Sequence, residues 1–129
     1  MLPMVPSSTR PAATILIVED DVLTRICGAG MFEDAGFSVI EAGDSDEALG
    51  LLAGGSKVQL LFTDVNLPGE IDGLALAREV HARWPFIGII VASGHSQPQF
   101  HELPDGARFH RKPYSVDSVV RHARELMAG

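Results

Sequence analysis

The sequence predicts an α/β protein whose core is a doubly wound, five-stranded parallel sheet with helices on both faces. Short apolar runs alternate with helical patterns along the chain, and the first, third and fourth runs are continuously apolar. Continuous apolarity is typical of parallel strands that helices cover on both sides. A length of 129 residues suits one core and is too short for two ordinary domains.

Turn residues or helical patterns separate the five strand candidates from one another. The candidates are TILIVE (14–19), FSVIEA (37–42), VQLLFTD (58–64), FIGIIVA (86–92) and the weaker ARFHR (107–111). The segment before the first candidate contains three prolines and shows no apolar periodicity. It therefore predicts a flexible leader over residues 1–13, followed by one domain over 14–129.

Helices are predicted between the strands because apolar residues recur there at spacings of three and four. The predicted core-facing positions are Leu23, Ile26, Cys27 and Gly30 in the first helix, Leu74, Ala77, Val80 and Trp84 in the third, and Val116, Val119, Val120, Ala123 and Met127 in the last. Asp44 or Ser45 is expected to cap the second helix. Pro98, Pro104 and Gly106 interrupt the fourth connection, which predicts a short or irregular fourth helix.

The composition argues against several classes of protein. The net charge of −7 disfavours direct nucleic-acid binding, which needs a basic face. No apolar run approaches a membrane span, and no signal-peptide pattern is present, so a cytoplasmic protein is expected. Cys27 is the single cysteine, which rules out an internal disulfide, and we interpret its side chain as a small buried apolar filler.

Chemically active side chains stand where the predicted strands end. They are Glu19 and Asp20 after the first strand, Asp64 at the end of the third, Ser93 after the fourth and Lys112 after the fifth. Carboxyl ends of parallel strands share one edge of the sheet, so these side chains are expected to converge. Three converging carboxylates would repel one another unless a cation lay among them, and Mg²⁺ suits carboxylates that await a phosphate. Asp64 is accordingly interpreted as the acceptor of a phosphoryl group, with Lys112 and Ser93 contacting the phosphoryl oxygens.

The segments ILIVEDD, TDVNLPGEIDG, IIVASG and FHRKPY, in that order, resemble the receiver domain of two-component response regulators. The resemblance extends from about Thr14 to Met127 and implies a flavodoxin-like fold with strand order 2-1-3-4-5. It also implies a phosphoacceptor, rather than an ordinary enzyme, that takes its phosphoryl group from a histidine kinase or histidine phosphotransfer protein. Mg²⁺ would be the cofactor, and a downstream protein would be the target.

The same resemblance implies roles for individual residues. These are Glu19 and Asp20 as the acidic pair, Asp64 as phosphoacceptor, Asn66 as donor of a backbone carbonyl to the metal, Ser93 and Phe109 as the switch residues, and Lys112 as the phosphate-binding lysine. It also implies a cis peptide bond between Lys112 and Pro113. The loop LPGEIDG is one residue longer than the form most common in the family, LPxMDG.

With no output domain expected after residue 129, the output would be protein–protein contact or phosphate relay. The sequence leaves open whether the chain is a separate regulator or a receiver from a hybrid kinase. It also leaves open whether the chain is a monomer or a phosphorylation-dependent homodimer. The five histidines, at positions 81, 95, 101, 110 and 122, are interpreted as surface or loop residues.

Two other functions fit parts of the sequence. The first is an Mg²⁺-dependent hydrolase with Asp64 as nucleophile, but Asn66 stands where a second carboxylate would be needed. The second is a flavin-binding module on the same fold, but the segment EDDVLT after the first strand is acidic and would repel a flavin phosphate.

Overall fold

A computed structural model describes residues 12–94 and 102–128 of the chain. These residues form five strands and four helices, in the order β1 (Thr14–Val18), α1 (Val22–Asp34), β2 (Ser38–Ala42), α2 (Ser45–Ala53), β3 (Leu60–Asp64), α3 (Gly73–Arg83), β4 (Gly88–Ser93), β5 (Arg108–Arg111) and α4 (Val116–Ala128). The helix predicted as the fifth is therefore α4. The predicted flexible leader falls mainly on residues 1–11, which lie outside the described residues.

All five strands run parallel in one sheet with the order β2-β1-β3-β4-β5, which confirms the predicted fold. The central strands are buried because a hydrophobic cluster covers each face of the sheet. The face under α2 and α3 contributes Leu16, Val18, Leu61 and Val91, and the face under α1 and α4 contributes Ile15, Ile17, Phe62 and Ile90. This arrangement leaves the carboxyl ends of the strands as one accessible edge of the sheet.

The prediction of the core-facing side of α1 is wrong. Leu23 and Ile26 are 74% and 54% exposed, and Cys27, interpreted above as a buried filler, is also exposed. The residues of this helix that are buried are Gly28, Ala29 and Phe32.

Close packing of α1 on the sheet explains the difference. A Cβ atom on Gly28 would lie 2.5 Å from Cδ1 of Ile17, so the missing side chain lets the helix approach β1. One turn later, the ring of Phe32 meets Phe62 edge-on, with ring centroids 5.2 Å apart. A glycine and an aromatic residue therefore decide which side of α1 is buried, and the apolar residues one position away are left exposed.

The other helices follow the predicted patterns more closely. The carboxylate of Asp44 accepts a hydrogen bond from the Glu47 amide at 2.8 Å and caps α2 as predicted. Leu74, Ala77 and Val80 of α3 are buried, and so are Val119 and Ala123 of α4. Val116, predicted to face the core, is instead 50% exposed in the first turn of α4.

The fourth connection joins β4 to β5 in a form that the described residues show only in part. Residues 102–107 form no α-helix, and the Ala107 amide donates to the Pro104 carbonyl at 3.1 Å in a turn. The Arg78 guanidinium on α3 donates to the Glu102 carbonyl at 3.0 Å. The rest of the predicted short or irregular helix lies outside the described residues. Among the helices that are described, none combines the length and apolarity needed to cross a bilayer.

Candidate functional site

Three carboxylates converge at the carboxyl edge of the sheet. Glu19, Asp20 and Asp64 each offer an oxygen, and these oxygens lie within 4.8 Å of one another. They meet because β1 and β3 are neighbours whose ends are in register, with Val18 opposite Thr63. Glu19 is buried, Asp64 is half-buried and Asp20 is exposed, so the cluster opens to solvent on one side.

Lys112 brings a positive charge to the same cluster from the end of β5. Its Nζ atom lies 3.0 Å from Oε1 of Glu19 and 3.5 Å from Oδ1 of Asp64. Its backbone amide donates to the Ser93 carbonyl at 2.9 Å, and the peptide bond to Pro113 is cis, as the resemblance implied. Burial lowers the lysine pKa, but the hydrogen bond to Glu19 and the charge of Asp64 outweigh it, so the net pKa is raised. Lys112 therefore stays charged at neutral pH.

The carboxylate of Asp64 is not fully paired. Its Oδ1 atom is buried and, among the described residues, makes no hydrogen bond, since the contact with Lys112 is an ion pair at 3.5 Å. Buried carboxylate oxygens normally have a partner, and leaving one without a partner costs free energy. An orphan oxygen beside two other carboxylates marks a position where a cation or a phosphoryl group would fit.

The neighbouring Asp21 belongs to the start of α1 rather than to the acidic cluster. Its carboxylate accepts hydrogen bonds from the Thr24 hydroxyl at 2.6 Å and the Thr24 amide at 2.9 Å. These bonds lower the pKa of Asp21. Because Asp21 caps the helix, Glu19 and Asp20 are the acidic residues of this loop that remain directed to the cluster.

Burial raises the pKa of Glu19, opposed by the Asp21 amide and by Lys112. Arg25, which the sequence analysis did not single out, connects the loop that carries Glu19 to strand β2. Its Nη1 atom donates to the Glu19 carbonyl at 2.9 Å, and its Nε atom lies 3.0 Å from Oε1 of Glu41 on β2. Finding this tether from sequence would have required the pairing of β1 with β2.

The loop after β3, which carries the extra residue, turns at a glycine and ends in a helix cap. Gly69 takes a φ of +96°, a conformation that favours glycine, and allows the chain to turn. The Asp72 carboxylate then accepts from the Ala75 amide at 2.9 Å and caps α3, while the Gly73 amide donates to the Val65 carbonyl at 2.8 Å. Asn66 is exposed near the start of this loop, and its predicted backbone contact with a metal stays a prediction.

The two predicted switch residues lie on the neighbouring strands. Ser93 is completely buried at the end of β4, one position beyond Ala92, which is the partner of Asp64 in the sheet. Phe109 on β5 is half-buried and packs against the cluster under α2 and α3. The structure thus gives the positions of these side chains, and their switching role stays a prediction.

Besides Arg25, two further features of the described residues were missed by the sequence analysis. The first is an exposed apolar surface of α1, formed by Val22, Leu23 and Ile26 and called here the α1 face. The second is a contact between His110 on β5 and His122 on α4, whose Nε2 and Nδ1 atoms lie 2.8 Å apart. His110 and His122, interpreted above as surface or loop residues, are half-buried on a strand and a helix, and positions 95 and 101 lie outside the described residues.

Comparisons with known proteins agree with this fold. A family model described as the response regulator receiver domain matches residues 15–107. The sensor kinase CckA of Brucella abortus is 33% identical over 120 residues, covering 90% of this chain and 13% of that kinase. The aerobic respiration control protein ArcA of Escherichia coli is 44% identical over 117 residues, covering 88% of this chain and 48% of that protein. This chain spans half or less of the length of these relatives.

Solved structures give the same result. The receiver domain of NtrX from Brucella abortus superposes with a TM-score of 0.79 at 31% identity, covering 88% of this chain and 98% of that chain. A response regulator receiver protein from Sinorhizobium medicae superposes with a TM-score of 0.84 at 24% identity, covering 92% and 96%, which shows a shared fold. The family model and the match along nearly the whole NtrX receiver show that this chain belongs to the response regulator receiver domain family.

Proposed function

We propose that Asp64 accepts a phosphoryl group from the phosphohistidine of a histidine kinase or histidine phosphotransfer protein, and that the modified state changes protein contacts. The observation that carries this proposal is the buried Oδ1 of Asp64, which makes no hydrogen bond with a described residue and lies beside Lys112 and two further carboxylates. A carboxylate that only stabilised the fold would be fully hydrogen-bonded, whereas a nucleophile keeps a lone pair available.

The proposed reaction is an in-line displacement at phosphorus. A carboxylate oxygen of Asp64 attacks the phosphorus atom, a new O–P bond forms, and the bond from phosphorus to the donor imidazole nitrogen breaks. The electron pair of that bond stays with the imidazole, which leaves as the neutral ring after taking up a proton. Lys112 remains charged and attracts a phosphoryl oxygen, and Ser93 is proposed to donate a hydrogen bond to another.

The residues at this edge fit a Mg²⁺ ion. They supply hard oxygen donors, and the three carboxylate oxygens lie within 4.8 Å of one another. Glu19, Asp20, Asp64 and the backbone carbonyl of Asn66 would hold the ion. When bound, Mg²⁺ would offset the negative charge of the carboxylates and of the incoming phosphoryl oxygens.

Phosphorylation is proposed to change the surface through the two switch residues. The new negative charge at Asp64 would attract the Ser93 hydroxyl on the adjacent strand, and the space vacated would let Phe109 move inward. Phe109 is partly buried against the cluster under α2 and α3, so an inward movement would remove more of its ring from solvent. A downstream protein would then bind the altered surface.

The α1 face is proposed as the surface on which the phosphodonor docks. Val22 and Leu23 are 54% and 74% exposed, and they follow directly after the acidic cluster in the chain. Exposed apolar residues next to a reaction site commonly mark a protein contact. A donor docked on this face would have its phosphohistidine within reach of Asp64, while a small phosphodonor would not need the face.

Truncation of side chains on the α1 face should slow phosphorylation by a protein donor but not phosphorylation by a small phosphodonor. We expect Leu23→Ala combined with Ile26→Ala to slow phosphotransfer from a histidine phosphotransfer protein by about tenfold or more, because each buried contact contributes roughly 1 kcal/mol or more to binding. Phosphorylation by acetyl phosphate should keep its wild-type rate. The two rates are measured from the time course of the phosphoprotein.

Phe86→Ala is the matched control, because Phe86 has the same 74% exposure as Leu23 but precedes β4, at the opposite end of the sheet. It should leave both rates unchanged. Equal slowing with both donors in the α1 variant would contradict docking on this face.

The proposed function itself is tested by intact mass spectrometry with acetyl phosphate. With Mg²⁺ present, we expect one phosphoryl adduct per chain, located by peptide mapping to the peptide that contains Asp64. Chelation of Mg²⁺ before the donor is added should prevent most of the adduct from forming, because the three carboxylates would then repel the anionic donor. An adduct at another residue, or turnover of the donor without any adduct as in a hydrolase, would overturn the proposal.

A further inference from the structure

The contact between His110 and His122 joins β5 to α4 at a position where neither the fold nor the proposed phosphorylation requires histidine. The Nε2 atom of His110 lies 2.8 Å from Nδ1 of His122, and the ring centroids are 4.8 Å apart. Both rings are half-buried between the strand and the helix. A separation of 2.8 Å between two ring nitrogens means that one of them donates a proton and the other accepts it.

The number of protons on the pair decides whether this contact survives. In the neutral pair, one facing nitrogen carries hydrogen and the other offers its lone pair. A first added proton settles on the far nitrogen of the donor ring and leaves the hydrogen bond intact, now assisted by charge. A second proton has to occupy the accepting nitrogen, so two N–H groups of two cations would face each other. The contact is then repulsive.

The charged groups around the pair oppose that second proton. Burial is the main cause that lowers the pKa of His110, followed by the charges of His122, Arg108 and Arg121. Arg108 is partly compensated by Glu125 of α4, whose carboxylate lies 3.2 Å from it. On the neighbouring strand β4, the partner of His110 is Ala92, which carries no charge. Among the described residues, the charges that act on the pKa of His110 are therefore positive, and none of them comes from a carboxylate.

We propose that His110 and His122 form a proton-sensitive latch that holds α4 against β5 and releases it when both rings are charged. The latch does not depend on the proposed phosphorylation of Asp64. The latch holds β5, however, and this strand is part of the proposed phosphorylation site. Phe109 directly precedes His110, and Lys112 follows it by two residues. Acidification would thus loosen the element that carries both the phosphate-binding lysine and the switch aromatic.

The sign of the pH dependence follows from the lowered pKa of His110. The unfolded chain takes up its histidine proton near the ordinary pH of about 6.5, whereas the folded chain resists it until a lower pH. The latch therefore contributes its full stability above that ordinary value. Its contribution is lost progressively as the pH falls below about 6.5 and through the lowered pKa.

A doubly substituted variant removes the titration and keeps the shape of the contact. The side-chain amide of glutamine in His110→Gln can place its donating nitrogen near the Nε2 position, and that of asparagine in His122→Asn can place its accepting oxygen near the Nδ1 position. We expect wild type to lose more stability than this double variant between about pH 7.5 and about pH 5. The unfolding equilibrium constant should change by about tenfold for each pH unit between the folded and unfolded pKa. His81→Gln on α3 is the control and should keep the wild-type pH dependence.

Nuclear magnetic resonance of the wild-type protein supplies a second measurement, which stands even if the double variant does not fold. The His110 ring should titrate below the ordinary histidine range, and amide exchange along α4 should accelerate over the same pH interval after correction for intrinsic exchange. Identical pH dependence of stability in wild type and a folded double variant would overturn the latch. So would His110 titrating without any change in the exchange of α4.

Discussion

Gly73→Ala is expected to destabilise the protein by about 3 kcal/mol or more, although alanine is normally the better residue in a helix. Gly73 is the first residue of α3 and packs directly against the end of β3. An added Cβ atom would overlap the Asp64 carbonyl oxygen and would lie 2.6 Å from its carbon and 2.8 Å from the Val65 Cα atom. Backbone atoms of a buried strand cannot move aside as a flexible side chain would. The free energy of unfolding is measured by denaturant titration.

Gly50→Ala supplies the matched control for Gly73→Ala. Gly50 lies inside α2, and a Cβ atom there would meet nothing within 4 Å. The same chemical change should therefore stabilise the protein by roughly 0.5 to 1 kcal/mol through helix propensity alone. A stable Gly73→Ala variant would mean that the end of β3 and the start of α3 are further apart than the structure places them. In that case the position of Asp64 would also have to be revised.

The strand-end residues could be predicted from the sequence because parallel sheets impose a simple geometry. Once β1, β3 and β5 are recognised, their last residues must share an edge, and Glu19, Asp64 and Lys112 then fall together. The pairing of Lys112 with Glu19 at 3.0 Å, closer than with Asp64 at 3.5 Å, could not be predicted. It depends on side-chain conformations and on the depth at which each strand ends.

The face of α1 shows where apolar spacing stops being informative. Leu23 and Ile26 repeat at helical spacing, and so do Gly28 and Phe32 one position further round the helix. Periodicity favours the stripe of Leu23 and Ile26, because glycine has no hydrophobic side chain to count. What decides between them is the close approach of Gly28 to Ile17, a tertiary contact. The exposed stripe is then available for a partner.

The histidine pair was missed for a different reason. His110 and His122 are twelve residues apart, one on a strand and one on a helix, so no local spacing relates them. Their contact joins α4 to β5, as does the ion pair between Arg108 and Glu125. Sequence patterns can predict that a strand and a helix pack together, but the register between them depends on the side chains in the interface.

Asp64→Asn is expected to abolish the phosphoryl adduct and, in the absence of Mg²⁺, to stabilise the fold by about 1 kcal/mol. The loss of phosphorylation follows because an amide is a poor nucleophile at phosphorus. The gain in stability follows because three carboxylates converge while Lys112 pairs with only Glu19 and Asp64, and Oδ1 of Asp64 is buried without a hydrogen bond from a described residue. Lys112 keeps its shorter contact with Glu19 in the variant, so little of its pairing is lost.

Mg²⁺ should reverse this order of stability. A ligand that binds only the folded state raises the free energy of unfolding in proportion to the logarithm of its concentration above the dissociation constant. Wild type should therefore gain stability as Mg²⁺ is added, whereas Asp64→Asn, with one fewer anionic ligand, should gain less. Denaturant unfolding with and without Mg²⁺ measures both effects, and Asp105→Asn at an exposed loop position should behave as wild type. If Asp64→Asn were phosphorylated like wild type, the carboxylate of Asp64 would not be the acceptor. If the variant gained as much stability from Mg²⁺ as wild type, that carboxylate would not be a metal ligand.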